Sequence, residues 1–355
     1  MKDQKTKIRV VHLTNKLTIG GKGRFLLSLC KAALKLSKDV EFFILCFSSL
    51  GELTPEFEKL GIKPKARKLI KHGYSPRAWI SFFSFAKELK NTPANLYQIH
   101  GYPPLMRVGL ACSILKLPFL AQYHSYHPPY RKKLWLFFEK LVLSKALYTL
   151  HVSHATKESV VRRCFVEPKG SVIYNCPDRK FIKGKRKRDA IWVARFSTQK
   201  RPLDFVKAVK EAQKLVNIKA TMVGGGDLFS QAKEEGRENL EFTGFVKDVE
   251  EYLSSSCVGV LTSEREGIGI SVLEYMKFGL PIVAYKLPAI FEIVPDKVGK
   301  LIPIGDIRSL TNTLIKLKIY PSLTQKLSIN ALRFSERFSC EGMAKSYLEI
   351  YRRLT

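Results

Sequence analysis

Two glutamates and two glycines in the segment TSEREGIGISVLEYMKFG carry the clearest chemistry of the chain. Glu266 precedes Gly267 and Gly269 in a polar turn, and Glu274 lies a little over one turn into the predicted helix 270–278. Glycines ahead of a helix let the backbone approach an anion, which the free N–H groups and the dipole of the helix start then bind. Carboxylates beside an anion must bind something else, such as sugar hydroxyls. The segment therefore predicts a ligand with a phosphate and a sugar, the alternative being an ordinary turn with solvated glutamates.

The elements around this turn predict a strand–loop–helix–strand crossover. A buried strand, Val258–Leu261, leads into the turn, Gly279 closes the helix, and a second apolar run, Pro281–Tyr285, follows at once. The rest of the chain alternates strand and helix patterns in the same way, which favours doubly wound parallel sheets. The pattern breaks near 175–187, where we place a domain boundary.

A second anion site is predicted in the segment AIWVARFSTQKRP. Arg195 ends a buried strand, Lys200 follows five residues later, and Pro202 is well placed to begin a helix. Ligands of parallel sheets bind beyond the carboxyl ends of the strands, where these two cations are expected. Two solvated loop cations are the alternative interpretation.

These motifs resemble those of the family-4 retaining glycosyltransferases. The two glutamates match the family's Glu-x7-Glu motif, and residues 279–283 match its Gly-x-Pro-Val-Val strand. Arg195 and Lys200 resemble its Gly-Arg-x5-Lys element, with Ala194 in place of the usual glycine. The resemblance implies a GT-B fold: two Rossmann-like, doubly wound parallel-sheet domains that face a central cleft.

The resemblance also implies domain bounds and a site. We expect an acceptor domain at 1–178, a donor domain at 179–338, and a terminal helix at 339–355 that returns to the first domain. The implied catalytic residues are Glu266, His124, Arg195 and Lys200. The implied donor-binding residues are Gly20, Gly21, Arg195, Lys200, Gly224, Gly244, Phe245, Glu266, Gly267, Ile268, Gly269, Ile270, Ser271 and Glu274. Glu266 would hold donor-sugar hydroxyls, and Glu274 would hold the ribose.

Histidines complete the implied site. His12, His100 and His124 each lie near the end of a predicted strand, and a lone histidine in such a place is more often structural. His124 matches the position at which relatives place a histidine beside the donor sugar, and His100 and His127 are secondary candidates. We expect no metal site and no cofactor, because the chain has no metal-ligand spacing and no Asp-x-Asp.

Charge predicts the partners. The 355 residues carry a formal net charge of +30, of which residues 1–180 hold +21, with 32 Lys and Arg against 11 Asp and Glu. Such a field favours a polyanion. Basic and aromatic residues interleave at 131–147 and at 62–83, so we expect docking on an anionic membrane surface and a glycan or lipid-linked acceptor. The alternative for 131–147 is an internal helix that packs on its sheet and leaves its lysines solvated. The donor would be a UDP- or GDP-sugar, used in the synthesis of a cell-surface polysaccharide, lipopolysaccharide or glycolipid.

Cysteine usage and hydropathy predict the compartment. Seven widely spaced cysteines without a C-x-x-C pattern are typical of reduced thiols in a cytoplasmic protein. No apolar run reaches the length of a membrane span, and no secretory signal is apparent at the N-terminus. We therefore expect a cytoplasmic protein that lies peripherally on the inner face of the cytoplasmic membrane.

Three alternatives stay open at this point. The IGGKGR segment partly matches a dinucleotide-binding loop, but the spacing of its glycines fails and no acidic residue ends the second strand. A nucleotide-sugar epimerase would keep the fold and need no acceptor. A basic nucleic-acid-binding protein would explain the charge, yet no such motif is recognisable, so we expect no nucleic-acid partner.

Overall fold

The computed structural model of the protein describes residues 7–67, 85–126, 133–236, 240–246 and 248–355, apart from the side chains at 102–104 and 133–135. The chain forms two compact units. Unit 1 comprises residues 1–176 and 340–355, and unit 2 comprises residues 177–339. Residues 85–90 of unit 1 are helical.

Unit 1 contains a sheet whose strands are short, apolar runs, as parallel strands covered on both faces require. The strands are β1 (Ile8–Thr14), β2 (Val40–Cys46), β3 (Lys65–Ala66), β4 (Leu96–His100), β5 (Phe119–Tyr123), β6 (Tyr148–His151) and β7 (Gly170–Val172). The labelled helices are α1 (Gly21–Leu36), α2 (Thr54–Glu58), α3 (Tyr102–Ile114), α4 (Lys133–Lys145), α5 (His154–Cys164) and α13 (Cys340–Leu354). α1 begins at Gly21, and Gly20 before it is an N-cap in an extended conformation.

Unit 2 also contains a sheet whose strands are connected by helices. Its strands are β8 (Arg188–Val193), β9 (Ala220–Val223), β10 (Leu240–Gly244), β11 (Ser256–Leu261), β12 (Ile282–Tyr285) and β13 (Gly299–Ile302). Its helices are α6 (Pro202–Gln213), α7 (Phe229–Glu235), α8 (Val249–Ser254), α9 (Ile270–Lys277), α10 (Pro288–Phe291), α11 (Ile307–Ile319) and α12 (Pro321–Ser335). A single 3₁₀ turn, Thr198–Lys200, follows β8.

Both sheets are parallel and doubly wound. The strand order is β3-β2-β1-β4-β5-β6-β7 in unit 1 and β10-β9-β8-β11-β12-β13 in unit 2. The order reverses between β1 and β4 in the first sheet and between β8 and β11 in the second, and such a reversal opens a crevice beyond the strand ends. The prediction of two parallel-sheet α/β domains is confirmed.

The chain's last helix, α13, packs against α1 in unit 1. Its strongly amphipathic sequence buries one side, on which Tyr347 and Tyr351 lie. Tyr347 donates a hydrogen bond to Gln122 (2.7 Å), and Tyr351 donates one to Gln98 (2.5 Å). Both tyrosines are therefore anchored to β4 and β5 through buried polar contacts as well as through apolar area.

The prediction that all cysteines are reduced is wrong for one pair. Cys176 and Cys340 form a disulfide with a Cα–Cα distance of 5.0 Å. The chain leaves unit 1 after Cys176 and returns to it at Cys340, so the topology brings together two residues that are 164 positions apart. Spacing along the sequence gives no sign of this pairing. The other five cysteines are free thiols, and all but the partly exposed Cys257 are buried.

Candidate functional site

The candidate site of unit 2 is centred on the point where its strand order reverses. β8 and β11 are neighbours there, and each continues into a loop at the carboxyl edge of the sheet. The loop after β8 carries Arg195 and Lys200, and the loop after β11 carries Glu266. The sequence-predicted cations and carboxylate therefore come from adjacent strands of one sheet.

Hydrogen bonds fix these two loops to each other. The Thr262 hydroxyl, at the end of β11, accepts from the Trp192 indole N–H (2.9 Å) and donates to the backbone carbonyl of Lys200 (2.9 Å). The Gln199 amide donates to the carbonyl of Arg265 (2.8 Å). The backbone beside Lys200 is thus held against the loop of Glu266 by one buried, one partly buried and one exposed hydrogen bond.

Lys200 and Glu266 form an ion pair in this position. The Lys200 ammonium lies 2.5 Å from Glu266 Oε1, and the side chains are 22% and 10% exposed. A pair so shielded from water interacts more strongly than a surface pair. The structure therefore places a cation and a carboxylate, one suited to a phosphate and one to hydroxyls, side by side at the strand ends.

The start of α9 lies in the same loop. Gly269 is the N-cap with φ +74°, and a side chain at this position would press on Ile290. Because no side chain caps the helix, the N–H groups of Ile270 and Ser271 have no acceptor among the residues that the structure describes. Gly267 and Ile268 are buried beneath this turn. The helix start has the free donors that an anion site needs.

Tyr275 fixes α9 to the reversal point. Its hydroxyl accepts from the backbone N–H of Val193 (2.7 Å) at the end of β8 and donates to the carbonyl of Val260 (3.2 Å) on β11. Gly259 leaves room for the ring, since a side chain there would overlap it. Burial raises the pKa of the phenol, which therefore stays protonated.

Glu274 is held by a cation that sequence reasoning missed. Arg179 Nε donates to Glu274 Oε1 at 2.8 Å, and both side chains are 7% exposed. Its NH1 group also reaches both oxygens of Glu250 at 3.3 Å. Because Arg179 lies 95 residues before Glu274, motif spacing gives no sign of the contact. The carboxylate is oriented and charge-compensated, and its Oε2 has no partner among the described residues.

A glycine turn and an aromatic ring lie beyond the neighbouring strands β9 and β10. Gly224 has φ +131° and donates to the carbonyl of Gly244 (2.9 Å), and a side chain at Gly224 would strike the backbone of Ala194. The Phe245 ring lies over Gly225 and is 79% exposed. A flat apolar surface therefore stands at the edge that carries the phosphate-binding candidates.

Arg195 is exposed and lies against the same turn. Its side chain packs beside Gly226, where a Cβ would meet the Arg195 Cγ at 3.1 Å. The guanidinium forms no ion pair with any residue in the described part of the chain. In contrast to Lys200, this cation is not committed to a carboxylate.

The remaining predicted site residues belong to unit 1. Gly20 caps α1, Gly21 is its first residue, and Lys22 follows on the first turn. Burial lowers the pKa of the Lys22 ammonium. Lys22 in turn helps to lower the pKa of His124, after the larger effect of burial. Lys22, which follows the glycine turn, therefore acts electrostatically on the histidine that the resemblance singles out.

The three histidines that the sequence places near strand ends in unit 1 form one row. His12 Nδ1 lies 2.9 Å from His100 Nε2, and His100 Nδ1 lies 3.0 Å from His124 Nε2. His12 does not end its strand, because β1 continues to Thr14. Burial lowers the pKa of His12 and of His124 to about 3, and it holds the pKa of His100 well below its usual value. The rings are therefore neutral at physiological pH. His127 lies outside the described residues.

Among the residues that the structure describes, neither unit groups side chains in the manner of a metal centre. Within the described ranges, no cluster of three or more His, Cys, Asp or Glu side chains is arranged to hold a metal ion. The same part of the chain contains no helix both long and apolar enough to cross a membrane. The expectation that the reaction needs no metal ion stays a prediction from the sequence.

Comparison with known proteins agrees with this architecture. A family model described as Glycosyltransferase Family 4 matches residues 19–181, and one described as Glycosyl transferases group 1 matches residues 187–318. The structure of Anabaena HepE in complex with UDP and glucose superimposes with a TM-score of 0.84, covering 98% of this chain and all of that one. At 18% identity, the likeness to HepE shows the fold.

Curated relatives point the same way. Bacillus subtilis EpsD is 38% identical over 111 residues, which is 30% of this chain and 29% of EpsD. The Escherichia coli UDP-Gal:alpha-D-GlcNAc-diphosphoundecaprenol alpha-1,3-galactosyltransferase is 24% identical over 351 residues, or 89% of each chain. The chain spans 29–44% of the length of the first three curated relatives that it matches. With two family matches that follow one another along two doubly wound units, the chain belongs to the family-4 glycosyltransferases of GT-B architecture.

Proposed function

We propose that the protein transfers a sugar from a UDP- or GDP-sugar to a hydroxyl of a glycan or lipid-linked acceptor, with retention of configuration at the transferred carbon. The observation that carries this proposal is the Lys200–Glu266 pair beside the uncapped start of α9. A phosphate needs the cation and the free N–H groups, and a sugar needs a carboxylate that accepts from hydroxyls.

In this reaction the bond between the sugar carbon and the diphosphate oxygen breaks, and a bond to the acceptor oxygen forms. The acceptor's proton passes to the departing diphosphate, so a nucleoside diphosphate and a glycoside are the products. Arg195, Lys200 and the α9 start stabilise the negative charge that develops on the leaving group. Glu266 holds the hydroxyls of the donor sugar once Lys200 turns to the phosphate.

The nucleoside is bound by the neighbouring groups in this proposal. Glu274 Oε2 accepts from a ribose hydroxyl, while Arg179 keeps Oε1 in place at 2.8 Å. The exposed ring of Phe245 stacks on the base. These roles explain why a buried carboxylate and an exposed aromatic ring occur at one edge of the sheet.

A panel of nucleotide-sugars tests the proposal. With the correct pair of substrates we expect a glycoside and a free nucleoside diphosphate, and ¹H NMR of the fresh product gives its anomeric configuration. Lys200→Ala should lower kcat/KM about 100- to 1,000-fold, as the loss of a group that stabilises developing charge does. Lys214→Ala is the control, because that lysine forms an exposed pair with Glu211 on α6.

The outcomes separate the alternatives. An isomerised nucleotide-sugar in the absence of any acceptor would identify an epimerase. An inverted product would remove retention from the proposal, and equal activity of the Lys200 and Lys214 variants would remove the site.

The acceptor is proposed to be presented at an anionic membrane surface. Unit 1 carries most of the positive charge, and the E. coli relative is named for a diphosphoundecaprenol-linked acceptor. On unit 1, Phe137 of α4 is 61% exposed and Phe165, after α5, is 83% exposed, with the Lys140 ammonium 5.7 Å from the Phe165 ring. Exposed aromatic rings beside lysines suit a membrane interface. The basic residues at 131 and 132 and most of 62–83 lie outside the described residues.

Vesicle sedimentation tests this docking. Phe165 adopts a left-handed conformation with φ +52°, which asparagine tolerates better than phenylalanine, so Phe165→Asn removes the ring without harming the fold. We expect the variant to bind anionic vesicles several-fold more weakly than the wild type, and wild-type binding to fall with salt. Phe291→Asn is the matched control in unit 2, where Lys286 lies 5.3 Å from an exposed ring. Equal loss in both variants, or wild-type failure to bind anionic vesicles at low salt, would contradict the proposal.

Charge neutralisation by Arg195, Lys200 and a helix start leads us to propose that transfer needs no metal ion. Activity should survive excess EDTA. Complete loss with EDTA that Mg²⁺ or Mn²⁺ restores would show that a metal takes part.

A further inference from the structure

The histidine row of unit 1, defined as His12, His100 and His124, admits only two arrangements of protons. A neutral imidazole carries one N–H, and the two ring-to-ring hydrogen bonds of the row, 2.9 and 3.0 Å, each need one donor and one acceptor. Either every ring carries its proton on Nδ1, or every ring carries it on Nε2. The state of one end therefore fixes the state of the other, across three neighbouring strands.

The His12 end of the row decides between the two arrangements of protons. His12 is fully buried, and its Nε2 has no hydrogen-bond partner in the part of the chain that the structure describes. If Nε2 carried the proton, an N–H donor would be buried unpaired, which native proteins avoid more strictly than an unpaired acceptor. The difference between the two penalties favours the form in which Nε2 is an unpaired acceptor. His12 therefore donates from Nδ1 to His100, and His100 donates from Nδ1 to His124.

In this arrangement the other end of the row, His124 Nδ1, carries a proton and can donate a hydrogen bond. His124 is only partly buried, and its Nδ1 has no partner among the described residues. Phe25 packs edge-on against the His124 ring, with a centroid distance of 4.9 Å, and so holds its plane. Lys22 is the charged neighbour on α1, and its ammonium disfavours a second proton on the ring.

We propose that His12 and His100 are positioning residues, which hold His124 as an Nδ1–H donor toward an oxygen of the substrate sugar. The identity of that substrate rests on the proposed function, whereas the proton arrangement does not. Because the row ends at the buried His12, it fixes the tautomer of His124 and does not carry protons away from the site.

Long-range ¹H–¹⁵N spectra of the protein labelled with ¹⁵N-histidine test the arrangement. These spectra distinguish the two tautomers of each ring, and single substitutions assign the signals. We expect His12, His100 and His124 all to be in the Nδ1–H form at pH 7.5. A wild-type His124 in the Nε2–H form would overturn the proposal without any reference to activity.

Two variants of His12 test the transmission. His12→Asp replaces the donor to His100 with an oxygen acceptor, and His12→Asn places an amide N–H close to where Nδ1 lies. We expect His124 to change to the Nε2–H form in His12→Asp and to keep the Nδ1–H form in His12→Asn. His151→Leu is the control, because His151 is a buried histidine on β6 that bonds Thr149 outside the row. An unchanged His124 spectrum in a folded His12→Asp protein would contradict the coupling, and the wild-type spectrum decides if that variant does not fold.

Kinetics connect the arrangement to the substrate. We expect kcat/KM to fall about tenfold in His12→Asp and to stay within about threefold of wild type in His12→Asn, a hydrogen bond's share of the barrier. Equal activity of the two variants, with the spectra as expected, would remove the substrate role and leave the tautomer assignment. Absence of any transfer by the wild type would defeat the proposed function alone.

Discussion

The carboxyl edges of the two sheets bury polar side chains in opposite ways. In unit 2 the polar groups are charged, and each carboxylate is held by a cation, as in the pairs Lys200–Glu266 and Arg179–Glu274. In unit 1 the row from His12 to His124 is neutral and linked only by imidazole hydrogen bonds. Ion pairs prepare a surface for a charged ligand, whereas the neutral row fixes the direction of one hydrogen bond. The same fold therefore supports a site in unit 2 that acts through charge and a site in unit 1 that acts through the direction of one hydrogen bond.

The largest expected effect is the loss of one partner from the buried pair of unit 2. Arg179→Ala leaves Glu274 charged and buried, which typically costs about 3–5 kcal/mol of folding stability. The sequence alone assigns Glu274 to the ribose and gives no reason to expect such a cost. Urea denaturation of Arg179→Ala, Glu274→Ala and the double variant measures it.

We expect the double variant to be less destabilised than the sum of the two single variants, because no charge is left unpaired. Lys157→Ala is the control in unit 1, since its pair with Glu167 is largely exposed and should be worth less than about 1 kcal/mol. Strict additivity in the double variant would show that Arg179 and Glu274 do not interact.

A second comparison uses the disulfide, which belongs to unit 1 alone. Cys176–Cys340 closes the long excursion of the chain through unit 2, so its removal should destabilise unit 1 by about 2–4 kcal/mol. Hydrogen exchange should become faster in α1 and α13 and stay unchanged in α9. Cys340→Ser and reduction of the wild type should give the same result.

Cys257→Ser is the control for the disulfide, because that free, partly exposed thiol lies in unit 2. Equal exchange of α13 in the oxidised and reduced wild-type protein would show that the disulfide contributes nothing to unit 1.

Sequence reasoning succeeded where the physics is local and failed where partners are distant. The apolar periodicity of the sequence predicts the parallel sheets. The positions of Lys200 and Glu266 in loops after predicted strands place both residues at the carboxyl edge of a sheet. Arg179, by contrast, meets Glu274 across 95 residues, and the bond between His12 and His100 spans 88. Cysteine spacing likewise indicated free thiols for Cys176 and Cys340, because only the tertiary path of the chain joins them. Chain-wide patterns predict elements, whereas these contacts depend on which elements become neighbours.

The smallest expected effect per residue is on the pH dependence of stability, which should differ between the two units. All seven histidines lie at or before residue 154, so unit 2 contains none. Burial lowers the pKa of His12, His124 and His151 to about 3 in the folded protein, against an ordinary value of 6.5. Between these values the unfolded chain binds protons that the folded chain does not, so stability is present above pH 6.5 and is lost as the pH falls toward 3.

By pH 6 each of these histidines should cost unit 1 about 1 kcal/mol relative to pH 7.5, because only part of the unfolded population is protonated there. Hydrogen exchange, corrected for the intrinsic effect of pH, should show weaker protection of β1, β4 and β5 at pH 6 and unchanged protection of β8 and β11. His151→Asn should reduce the pH dependence of unit 1 by one histidine's share. Equal losses in both units would mean that the buried imidazoles of unit 1 do not control its response to acid.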